Sequence, residues 1–167
     1  MTVTVASGGG GGGGGGTTDT SACTFLGLTP HVITIPWGTT QQALTTNNGG
    51  FGANDAIVVK FTTSAITSST SKGNISAVEY GNGGLNPRTG SLSASPCDFT
   101  GGLPANGGGI TAFANDTAPL AYFSLVNKKL GAATLSVGTT YYFNIRNAGC
   151  SSASCDMQIT LTKPAGS

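Results

Sequence analysis

The stretch Tyr141-Tyr142-Phe143-Asn144-Ile145-Arg146, followed after a cysteine-bearing loop by Met157-Gln158-Ile159-Thr160-Leu161-Thr162-Lys163, decides the fold. Successive side chains of a strand point to opposite faces. Tyr141, Phe143 and Ile145 therefore share one face, while Tyr142, Asn144 and Arg146 share the other. The second run turns Met157, Ile159 and Leu161 to one side in the same way, so each run reads as a strand with one apolar, core-facing edge. Paired with each other, they would make a C-terminal hairpin closed by the loop that carries Cys150 and Cys155.

Outward from this pair, the chain continues as short strand-like runs: Thr24–Leu28, Val32–Ile35, Ala56–Thr63, Ile75–Tyr80, Ser91–Ser95, Ala121–Val126 and Ala133–Val137. Turn signals separate them, among them Asn47-Asn48-Gly49-Gly50, Gly81-Asn82-Gly83-Gly84, Asn86-Pro87, Gly101-Gly102, Asn106-Gly107-Gly108-Gly109 and Val137-Gly138-Thr139. Strands at this spacing, without helical periodicity between them, predict an all-β domain: an antiparallel β-sandwich or jelly roll. The composition agrees. Glycine supplies 28 of 167 residues and only 8% are charged, against about 25% in an average soluble domain.

The N-terminus stands apart. Thr2-Val3-Thr4-Val5-Ala6 alternates like a half-buried strand, and Gly8–Gly16 is an unbroken glycine run. The expected organisation is a strand at 1–7, a polyglycine linker at 8–16 and a sandwich domain at 17–167. A nine-glycine tether reaches about 15 to 18 Å on average and about 30 Å at full stretch. The alternative is an ordered polyglycine segment packed within an assembly. The strand can fold back on its own sandwich or add to the edge of a neighbouring subunit. Met1 precedes neither a basic nor an apolar signal segment. It belongs either to a trimmed chain or to a protein released by another route, such as that of phage particles.

Four cysteines bear on the compartment. Cys150 and Cys155 form the one close pair, whereas Cys23 and Cys97 stand alone, so a zinc site with two close pairs is not expected. The spacing favours disulfides Cys150–Cys155 and Cys23–Cys97 out of three formal pairings. Two disulfides imply an oxidising setting: extracellular, at a cell surface or in a virion. No apolar run reaches the 18 or so residues of a membrane helix, so no membrane insertion is expected. Seven basic residues against six acidic leave a net charge of +1, which gives no footprint for nucleic acid.

The segment Leu135-Ser-Val-Gly-Thr-Thr-Tyr-Tyr-Phe-Asn-Ile-Arg-Asn147, with Met157-Gln-Ile-Thr-Leu-Thr162, resembles the end of prepeptidase C-terminal-type jelly-roll domains of secreted bacterial proteins. The resemblance implies a non-catalytic accessory or binding module. Separately, Thr2–Ser7 followed by glycine resembles the closing strand of a bacterial immunoglobulin-like repeat, as in a fragment of a longer surface protein.

Chemistry-bearing groups are sparse. His31 is the single histidine; it leads an apolar strand, and no Gly-x-Ser-x-Gly elbow accompanies it. The six carboxylates are scattered singly, without the pairing a glycosidase needs. No catalytic residue is assigned and no enzyme is expected. Asp55 and Asp116, each preceded by Asn, are calcium candidates, with ordinary turn-making as the competing role; no other cofactor is expected. Trp37, Tyr80, Tyr122 and Tyr142 are candidates for a ligand platform, because flat rings stack on sugars. The expected function is a non-catalytic extracellular structural or adhesive module, such as a self-assembling subunit of a surface filament or virion. The alternative is a carbohydrate-binding module, and the expected partners are copies of itself or a surface glycan.

Overall fold

A computed structural model describes residues 2–4, 17–38, 41–46, 51–64, 71–79, 88–100, 102–108, 112–116, 120–125, 128–146 and 157–164. In chain order the elements are β1 (Thr2–Thr4), α1 (Ser21–Phe25), β2 (Thr29–Thr34), β3 (Gln41–Thr46), β4 (Asp55–Thr62) and β5 (Gly73–Glu79). They continue with β6 (Arg88–Ser93), β7 (Ala112–Asp116), β8 (Leu120–Leu125), β9 (Ala133–Leu135), β10 (Thr140–Arg146) and β11 (Met157–Thr162). The strands form two sheets, ordered β1-β3-β11-β5-β8-β9 and β2-β4-β10-β6-β7. The fold is an all-β sandwich.

The alternation read from β10 and β11 sets the core. Tyr141, Phe143 and Ile145 meet Ile57, Val59 and Phe61 of β4, and Met157, Ile159 and Leu161 meet Ile75 and Ala77 of β5, in one buried cluster. Each large aliphatic or aromatic side chain withdrawn from water there contributes about 1.5 to 3 kcal/mol. The Val137-Gly138-Thr139 turn forms as expected. Gly138 takes φ +70, and the Thr63 hydroxyl donates to Ser136 O (2.7 Å) and accepts from Thr139 N–H (3.1 Å).

Four differences from the sequence reading have physical causes. β10 and β11 do not pair as a hairpin: β10 lies between β4 and β6, and β11 between β3 and β5, in opposite sheets. Ten residues separate Arg146 from Met157, enough chain to cross the roughly 10 Å between packed sheets; that connection, with Cys150 and Cys155, lies outside the described residues. The run Thr24–Leu28 is not a strand. It belongs to the single turn of α1 and its exit, where Leu26 N–H bonds Ala22 O and Gly27 ends the helix at φ +72.

The pairing is also mixed rather than wholly antiparallel. β1 with β3, β2 with β4 and β8 with β9 are parallel. Finally, β3 and β7 carry no clear strand signal, being Gln-Gln-Ala-Leu-Thr-Thr and Ala-Phe-Ala-Asn-Asp. β1 pairs within the chain, with Thr2, Val3 and Thr4 opposite Leu44, Thr45 and Thr46.

Candidate functional site

β4 is apolar on both faces because α1 covers the outer one. Ala56 and Val58 point away from the main core into a second cluster with Cys23, Leu28 and Cys97, flanked by Phe99 and Tyr142. A disulfide joins Cys23 to Cys97 across a Cα–Cα distance of 5.1 Å and 74 residues of chain. It fastens α1 to the sandwich. Cys97 reaches that position at φ +61, a conformation unusual for a side chain with a Cβ, and Asn144 holds it there. Asn144 Oδ1 accepts from Cys97 N–H at 2.8 Å, and its Nδ2 donates to Ser95 O (3.0 Å) and Asp98 O (3.2 Å). Asp98 adds a bond from the Ser93 hydroxyl at 2.8 Å.

Cys23 is the only buried residue of α1, and the helix turns its apolar side outward. Phe25 is 91% exposed and Leu26 51%; with Ser21 and Ala22 they line an open depression. The Asp19 carboxyl, fully exposed, is held below its usual range because the Ser21 backbone N–H and then the Ser21 hydroxyl bond its charged form.

The described aromatic candidates, Trp37, Tyr122 and Tyr142, do not converge. Trp37 is half-buried at the core edge, stacked on Phe61 (6.1 Å, 15°) and tilted against Phe123 (5.8 Å). Its indole N–H is buried without a partner among the described residues. Tyr142 packs beneath α1, and Tyr80 lies outside the described residues. Among the described candidates Tyr122 alone presents its ring to solvent, 41% exposed on the outer face of the six-stranded sheet. Asn74 is its cross-strand partner, Thr162 lies beyond Asn74, and the Lys72 ammonium sits 5.5 Å from the ring centroid.

His31 and Asp55 form a closed pair on neighbouring strands. His31 Nε2 lies 2.8 Å from Asp55 Oδ1, while Asp55 Oδ2 accepts from Gly52 N–H. The His31 ring is 7% exposed and meets Phe51 edge-on at 4.9 Å. Both Asp55 oxygens therefore already serve protein donors. Asp116 ends β7 opposite Arg88, and its side chain lies outside the described residues. Among the described residues no group of three potential metal ligands gathers, and no helix is long and apolar enough to cross a membrane.

The sequence reading missed Asn144 as more than an outward polar side chain. It also missed Phe25 as an exposed residue, since its segment reads as a strand. No protein-family model matches the chain, and no curated protein is significantly similar to it.

Proposed function

We propose that the chain is a non-catalytic extracellular module whose work is adhesion or assembly. The observation that carries this reading is the rigid apolar tip: Phe25, almost wholly exposed, on a helical turn pinned to the sandwich by Cys23–Cys97. An exposed aromatic on a flexible loop would lose ordering entropy on contact, whereas a disulfide-held one is already placed. The disulfide supports an oxidising compartment. The only histidine supports a structural role, since its carboxylate partner is fully engaged by His31 and Gly52. Assembly into a surface filament or virion is the finer form of this reading.

A carbohydrate target is the second reading, favoured by the exposed Tyr122 ring beside the amide of Asn74. The adhesion reading is tested with latex beads coated with the oxidised protein, alone and with cells of the source culture. Clustering or capture that is lost in the F25S/L26S double variant, at unchanged melting temperature, is the expected result. Wild-type beads that neither cluster nor capture would overturn it, as would cysteines found reduced in the protein taken from its native location.

A further inference from the structure

We infer that the end of the six-stranded sheet carrying Lys72, Lys128, Lys129 and Lys163 is a binding face for an acidic polysaccharide, with Tyr122 and Asn74 as its sugar-contacting pair. The charge is segregated. Lys72 immediately precedes β5, Lys163 immediately follows β11, and Lys128 with Lys129 opens the turn into β9. The register places Lys163 beside Gly73, since Thr162 pairs with Asn74, and Gly73 pairs with Phe123 of β8; the turn that carries Lys128 and Lys129 enters β9 at Ala133, which also lies opposite Phe123. The Lys72 ammonium lies 3.9 Å from where a Cβ on Gly131 would stand, in the turn closed by Ala132 N–H to Lys129 O.

Among the described residues none of these four lysines joins an ion pair. The described carboxylate side chains lie elsewhere, with Asp19 beside α1, Asp98 beside Ser93 and Asp55 at the start of β4. Glu79 ends β5 at the opposite end of the sheet, paired with Met157. Lys72 rests over an aromatic face instead of a carboxylate, which leaves its ammonium free to meet an external anion.

A carboxylate-bearing sugar satisfies both halves of this surface. Its acid groups meet the lysines. Its ring and hydroxyls meet the exposed Tyr122 ring, the Asn74 amide and the Thr162 hydroxyl, which share the outer face. A bare polyphosphate would use the lysines and leave Tyr122 idle. This inference rests on the second, carbohydrate reading and names the class of sugar. It fails separately from the adhesion reading, because bead capture through Phe25 does not involve the lysine face, and separately from the carbohydrate reading, which dextran binding without polygalacturonate binding would keep.

The test titrates the intact, oxidised protein with polygalacturonate, with uncharged dextran and inorganic polyphosphate as comparison probes, at about 50 mM salt where surface charge is weakly screened. Polygalacturonate should bind and dextran should not. The K72Q/K129Q double variant should lose about tenfold or more in affinity. Y122A should weaken polygalacturonate binding several-fold, and R146Q, a charge change on the other sheet, should have no effect. Absence of polygalacturonate binding, an equal loss in R146Q, or polyphosphate binding as tight as polygalacturonate and indifferent to Y122A would each overturn the assignment.

Discussion

Asn144 holds Cys97 in place: the buried amide in the middle of β10 accepts the Cys97 backbone N–H at 2.8 Å and fixes that residue at φ +61. Because Cys97 carries the disulfide to Cys23, one side chain positions the loop that positions α1. Replacing Asn144 with Ala removes one buried and two part-buried hydrogen bonds and strands a buried N–H. A loss of about 2 to 4 kcal/mol is expected in denaturant unfolding. N144D should be no milder, since it forfeits both Nδ2 bonds and buries a charge.

Cutting the Cys23–Cys97 link should cost about 4 kcal/mol, the loop-closure value for its 74-residue separation. C23S/C97S should also release α1 and raise hydrogen exchange at Leu26, Gly27 and Leu28, whose N–H groups bond within that turn. Unchanged exchange there would mean that packing on Ala56 and Val58, rather than the bond, holds α1.

Two glycines should respond in opposite degrees to alanine. At Gly73 a Cβ would stand 2.5 Å from the Phe123 ring and 2.6 Å from Thr162 O, so G73A should cost about 3 kcal/mol or more, because backbone cannot step aside. At Gly138 the φ is +70 but no atom lies within 4 Å, so G138A should cost only about 1 to 2 kcal/mol of backbone strain. Paired melting curves decide the order.

D55A should destabilise by about 1 to 3 kcal/mol, because it orphans the Gly52 N–H and leaves the buried His31 ring without its acceptor. Since His31 closes no catalytic arrangement in the proposed function, D55A should leave bead adhesion intact wherever the protein stays folded.

How much was legible follows the reach of each signal. Core strands such as β4 and β10 announce themselves because alternation and β-branching are local properties of ten residues or fewer. β3 was silent because Gln-Gln-Ala-Leu-Thr-Thr becomes a strand by lying between β1 and β11, not by its own propensity. The segment Thr24–Leu28 misled for the converse reason: its apolar residues read as strand, but the turn is closed by Cys23 and Gly27. For the candidate site, Tyr122 was named from the sequence, whereas its separation from Trp37 and Tyr142 was not. That depends on which face and which sheet each ring occupies.

By itself, the sequence determined the all-β class, the core faces of β10 and β11 and the turn at Gly138, and it favoured Cys97 as partner for Cys23 among three pairings. These rest on period-two patterning, turn chemistry and cysteine spacing, which act over short distances or by elimination. Only the tertiary structure decided that β10 and β11 belong to opposite sheets, that Asn144 is a buried clamp, that Asp55 is closed by His31, and that Lys72 comes beside the turn that Lys128 and Lys129 open. Those are consequences of strand order and register, and strand order is set by long-range pairing that no local window contains.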